Sequence, residues 1–181
     1  MKKLILSLLF LGFISTAQTQ ILLDVADLGD IPASMKIDPG TNSLVIQMKE
    51  KSAGEFNKDA LTFVKNRFDS RQLVKDNKEG EFDSYVVKFK SSKGHLTANF
   101  DDKGDLVSSF QRFTNVAIPD EARLQILQKY RDCNFLKSTY AASSKGYEIK
   151  KGHYLVKIKD GDKMRRVRIN QNAQGVRLAG F

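Results

Sequence analysis

Two histidines, one cysteine and two short acidic clusters are the side chains with which this sequence could do chemistry. His95 and His153 each lack a second histidine or a carboxylate at metal-ligand spacing, and the His-Glu-x-x-His pattern of zinc hydrolases is absent. Asp101-Asp102 and Asp160-x-Asp162 place carboxylates close together, as a calcium loop does. Lys103 follows the first pair, neither cluster has the length or ligand count of such a loop, and both stand where a hairpin needs turn residues. There is no Gly-x-Ser-x-Gly elbow, no phosphate-cradling Gly-rich loop and no Gly-x-Gly-x-x-Gly stretch. Cys133 is the single cysteine, which rules out an intramolecular disulfide. It has only Arg131 nearby to lower its pKa, and it reads as a half-buried structural thiol. No catalytic residue, metal ligand or cofactor is assigned, and the expectation is a protein that is not an enzyme.

Charge offers a different chemistry. If Tyr154, Val156 and Ile158 point into a core, then Lys157 and Lys159 point away from it. With Val167 and Ile169 inward on the next strand, Arg166 and Arg168 point outward beside Met164, and Arg177 adds a third strand's cation. Strands about 5 Å apart would gather these five side chains into one basic patch. The equivalent face of the preceding half holds Lys88, Lys90, Thr97 and Asn99, which is less charged. Basic side chains also keep a bare sheet face soluble, so the patch reads either as a solvated surface or as a binding surface.

The elements that must position these residues are marked by alternation and turns. Tyr85, Val87 and Phe89 alternate with Val86, Lys88 and Lys90 across Ser84–Lys90. Ser91-Ser92-Lys93-Gly94 and Asp101-Asp102-Lys103-Gly104 are turns, flanking a strand with Leu96, Ala98 and Phe100 inward and followed by Leu106–Phe113. A short strand is expected at Gln72-Leu73-Val74. Further strands are expected at Asn134–Tyr140, His153–Lys159, Met164–Ile169 and Val176–Phe181. Their turns fall at Asp160–Asp162 and Asn170–Gly175, with a longer link through Ala141–Lys150.

Much of this is written twice. Asp59–Phe68 is answered by Glu121–Tyr130, and Tyr85-Val-Val-Lys-Phe89 by Tyr154-Leu-Val-Lys-Ile158. Each copy opens with a helix. Asn57 is the expected cap of the first, with Ala60, Val64 and Phe68 on its apolar stripe. Ile118-Pro119-Asp120-Glu121 starts the second, whose stripe is Ala122, Ile126, Leu127 and Tyr130. The expected class is α+β: two tandem helix-plus-four-stranded antiparallel sheet repeats at 55–115 and 116–181, preceded by an arm at 18–54 with a strand near 43–48. The helix-free face of such a sheet is polar and open to water or a partner.

Met1-Lys2-Lys3, the apolar run Leu4–Ile14 and the small residues Ser15-Thr16-Ala17 make residues 1–17 an expected secretion signal, cleaved after Ala17. The apolar run is short for a membrane span and no second one follows, so no stable membrane anchor is expected. The formal charge of +9 falls to +7 when Lys2 and Lys3 leave with the signal. Such a balance favours anionic surfaces, whereas export, the absence of tryptophan and the lack of a basic-aromatic motif argue against nucleic acid. The expected location is the periplasm or the outside medium.

The chain resembles the PepSY-like, beta-lactamase-inhibitor-like group of bacterial periplasmic proteins over roughly residues 55–181. The resemblance rests on Tyr85-x-Val87-x-Phe89, Asp101-Asp102-Lys103-Gly104-Asp105-Leu106, Ile118-Pro119-Asp120-Glu121, and Tyr154-x-Val156-x-Ile158 with its Gly175 turn. It implies a tandem scaffold whose polar sheet face or loops contact another protein, and it carries over no contact residue. Three functions follow from these readings. The first is an exported interaction module, an inhibitor or an accessory factor, with an envelope or secreted protein as partner. The second is a binder of an anionic surface or small ligand through Lys157, Lys159, Arg166, Arg168 and Arg177. The third is an enzyme with a site that no motif reveals.

Overall fold

The computed structural model describes residues 33–38, 40–41, 43–78, 82–172 and 175–179. The expected secretion signal and the first part of the expected arm, residues 18–32, lie outside the described residues, while the strand expected near 43–48 forms at Ser43–Met48. The chain is α+β, with nine strands and four helices among the described residues. The strands are β1 (Ala33–Asp38), β2 (Ser43–Met48), β3 (Ser84–Lys90), β4 (Gly94–Asp101), β5 (Leu106–Thr114), β6 (Asn134–Lys145), β7 (Glu148–Asp160), β8 (Lys163–Asn172) and β9 (Gly175–Leu178). The helices are α1 (Glu50–Lys58), α2 (Ala60–Arg67), α3 (Ser70–Asp76) and α4 (Asp120–Lys129).

The strands lie in chain order in one mixed sheet. Every neighbouring pair is antiparallel except β2 with β3, and that parallel pair is where α1–α3 make the crossover that parallel strands need. The sequence reading expected four-stranded antiparallel sheets, whereas one nine-stranded sheet forms. The physical reason lies at β5 and β6, which pair from Ser108↔Lys145 through Thr114↔Thr139. That ladder leaves no open edge between the halves.

Three local expectations change. Gln72-Leu73-Val74 is helical: the Asp69 carboxylate accepts from the Gln72 amide at 2.9 Å and caps α3, while Leu73 is buried. The first helix begins at Glu50 and breaks at Asp59, whose side chain caps α2 by accepting from the Thr62 amide. Asn57 is therefore not the cap, and its side-chain oxygen accepts from the Ser91 hydroxyl at 2.6 Å. The expected link at Ala141–Lys150 is a hairpin instead, with β6 and β7 extended to a turn at Gly146 and Tyr147. Gly146 takes φ of 53° there, a left-handed value that glycine adopts freely.

The helices cover one face of the sheet, and its apolar residues fall into two clusters. Under α1–α3, Phe56, Phe63, Phe68, Phe89 and Phe100 pack with Leu44, Ile46, Val87 and Leu96. Edge-on ring contacts such as Phe68–Phe89 at 5.0 Å knit this cluster together. Under α4, Ala122 and Ile126 pack on Val156, Ile158, Val167 and Ile169, with Cys133 buried at the margin. Between the clusters the same face turns polar, where Ser109 and Ser144 share a buried hydrogen bond of 2.7 Å.

Candidate functional site

The opposite face of the sheet is built by strand parity. On β7 and β8, Val156 and Ile158 face α4 across from Val167 and Arg165 respectively, which sends Lys157 and Arg166 to the other side, opposite one another. Lys159 stands opposite Met164, and Arg168 opposite Leu155. Arg177 stands opposite Asn170 on β8. The structure therefore places Lys157, Lys159, Arg166, Arg168 and Arg177 on one face, free of helices among the described residues, and all five are exposed. Arg165 belongs to the other side, where its Nε donates to Asp160 at 2.7 Å and its guanidinium stands over the Tyr130 ring.

The register extends this face across the whole sheet. One row perpendicular to the strands reads Gln47, Lys90, His95, Arg112, Ala141, His153, Asn170 and Arg177. A second row holds Thr114, Thr139, Leu155 and Arg168, and a third holds Lys137, Lys157 and Arg166. The two histidines, isolated in sequence, flank Arg112 in the first row at the centre of the sheet. Partial burial lowers the His95 pKa below its ordinary value, with Lys88, Lys90 and Arg112 adding to the effect. Burial lowers His153 as well, helped by Arg168 and Arg112. Arg112 thus acts on both rings and favours the neutral form of each.

Negative charge is kept off the middle of this face. The carboxylates in the described strands are Asp38, Asp101, Glu148 and Asp160, and each is the first or last residue of its strand. Apolar side chains do reach the surface among the cations: Phe110 is 47% exposed, Met164 55% and Leu155 38%. The Phe110 ring lies 6.3 Å from that of His95.

Arg112, the histidines and Phe110 are what parity reasoning on the sequence left out. On β5 the usual pattern is inverted, because Ser109 and Gln111 are buried on the helix side while Phe110 is exposed. A register shift at Asn99 and Phe100 further disturbs the alternation. The one available signal was Phe113, buried on the helix side, which puts its neighbour Arg112 outward.

No protein-family model matches the chain, and neither the curated proteins nor the solved structures include a match.

Proposed function

We propose that this protein is an exported, non-enzymatic binding module that holds an acidic surface of an envelope or secreted protein against the helix-free face of its sheet. The observation that carries this reading is the segregation of charge. Cations from β3 to β9 share an uncovered face, and every strand carboxylate sits at a strand end. Like charges opposite one another, such as Lys157 and Arg166, cost stability unless something neutralises them.

Size and composition favour a protein over a small ion. Nine strands spaced by roughly 4.8 Å, with about eight residues each at roughly 3.3 Å, make a face on the order of 1,100 Å². One side of a standard protein interface is about 800 Å². Exposed Phe110 and Met164 among arginines are residue types enriched at protein interfaces, and Leu155 adds apolar area beside them.

The scaffold reading belongs to the same proposal. Two tandem helix-plus-sheet units are supported by two separate apolar clusters, each under its own helices. Ala60 and Val64 of α2 belong to one cluster as Ala122 and Ile126 of α4 belong to the other. The resemblance to the PepSY-like, beta-lactamase-inhibitor-like group supports the same arrangement and a protein partner.

The test is affinity capture from envelope and secreted fractions at low and moderate salt, comparing the natural protein with the Arg166→Glu, Arg168→Glu double variant. The expected result is one acidic protein retained at moderate salt by the natural chain and lost by the variant. Equal capture by both would remove the face from consideration. A diffuse set of anionic material released by modest salt would instead favour the second reading, a binder of anionic surfaces through the same residues.

A further inference from the structure

The helix side of the sheet holds a separate feature. Between the two apolar clusters lies a cleft of about 460 Å³, walled by α1 and the start of α2 on one side and by the segment leading into α4 on the other. Its lining includes Gln111 of β5, Tyr140 of β6, Tyr154 of β7 and Gln171 of β8. These residues occupy the buried face where the apolar pattern stops, which is why neither cluster closes over them.

The groups in the cleft converge. The Tyr140 and Tyr154 rings lie 4.7 Å apart with 37° between their planes. Gly152 of β7 brings no side chain against Tyr140 and Gln171. A Cβ there would stand 3.2 Å from the Tyr140 hydroxyl and 3.4 Å from Gln171 Oε1. Gln171 Oε1 is buried and finds no hydrogen-bond partner among the described residues. An acceptor in that position is costly, by roughly 1–3 kcal/mol, unless a donor reaches it. Burial pushes the Tyr140 hydroxyl up to about 12, with Tyr154 and the Asp59 carboxylate adding and a hydrogen bond with Gln111 opposing. Tyr140 therefore stays a neutral donor and acceptor over the whole physiological range.

The chemistry of the ligand follows from these groups. Amide and phenol side chains both donate and accept, as do hydroxyl groups, and aromatic rings offer a flat apolar surface. The charged residues at the cleft, Lys58 and Lys93 against Asp59, do not focus one sign of charge on its floor. A volume of this size lies within the range of small-molecule sites. We propose that the cleft is a binding site for a neutral, hydroxyl-rich ligand of mono- or disaccharide size, with Gln171 Oε1 accepting from one of its hydroxyl groups and the tyrosine pair taking its apolar face. The site is independent of the basic face, on the other side of the sheet.

The test uses maltose, cellobiose, lactose and N-acetylglucosamine as probes, with choline as a cationic control, followed by calorimetry and by saturation-transfer NMR. Saturable binding of at least one sugar, indifferent to moderate salt, is the expected result. Gln171→Leu should weaken it about tenfold by removing the acceptor. The same change should raise the melting temperature, because it removes a buried unpaired oxygen. Gly152→Ala, whose Cβ would press on the Tyr140 hydroxyl and stand against Gln171 Oε1, should also weaken binding, and the Arg166→Glu, Arg168→Glu variant should leave it unchanged. Failure of every sugar to saturate, binding of choline in preference, or sugar binding untouched by Gln171→Leu and Gly152→Ala would each overturn the proposal.

Discussion

His95 on β4 and Arg112 on β5 stand directly opposite one another, so an imidazole at the centre of the sheet is held beside a permanent cation. His153, two strands further on in the same row, feels Arg112 as well. Both rings should titrate below the ordinary histidine value when followed by NMR, and Arg112→Gln should raise both midpoints together. The sign for stability follows from proton counting. Between the ordinary value of 6.5 and the lower folded one, the unfolded chain binds more protons. Stability therefore falls as pH drops through that window and is unaffected by these rings above it. Midpoints that stay apart in their response to Arg112→Gln would disprove the shared field.

Lys157 faces Arg166 on one side and Lys137 on the other. Lys157→Glu should stabilise the isolated protein by on the order of 0.5 kcal/mol at low salt, by exchanging two repulsions for two attractions. The gain should shrink as salt rises, and binding of the acidic partner should weaken at the same time. Denaturant unfolding at two salt concentrations measures the first effect. A loss of stability would show that the cations of this face are not in conflict.

Gly94 opens β4 where the chain passes against β5. A Cβ there would lie 2.1 Å from the Arg112 carbonyl oxygen and 2.7 Å from Phe113 Cα and its ring. Backbone cannot yield as a side chain does, so Gly94→Ala should cost about 1–3 kcal/mol or more. The damage falls at the middle of the sheet, under Arg112. Urea unfolding of this single variant provides the measurement.

Cys133 is buried beside the α4 cluster, and burial raises its pKa, with Asp160 and Asp132 adding. Its thiol should react slowly with a disulfide reagent in the native protein and stoichiometrically after denaturation. Ile126→Ala, which loosens the same cluster, should speed the native reaction without touching the basic face. Rapid labelling of the native chain would contradict the burial.

Strand parity on β7 and β8 is legible in the sequence alone. Alternation at Tyr154–Ile158 and at Val167–Ile169 is clean, and a period of two leaves Lys157, Lys159, Arg166 and Arg168 one side to occupy. The start of α4 at Pro119 and Asp120 was legible for a similar reason, since helix starts are local. Asp59 and Asp69 were harder, because several polar residues stand within a turn of each boundary and only the folded backbone selects which one caps. Gln72–Val74 carries too short an apolar pattern to distinguish strand from helix.

By itself, then, the sequence determined the α+β class, most strands and turns, and which way the basic residues of its last strands point. These depend on spacing along the chain. The tertiary structure alone decided that β5 and β6 join the halves into one sheet, which sets Arg112 between two histidines more than forty residues apart in sequence. It also decided that Ser109 and Gln111 turn inward while Phe110 turns out, and that Tyr140, Tyr154 and Gln171 meet in one cleft. Those relations depend on inter-strand register, and register is set by long-range pairing that no local pattern encodes.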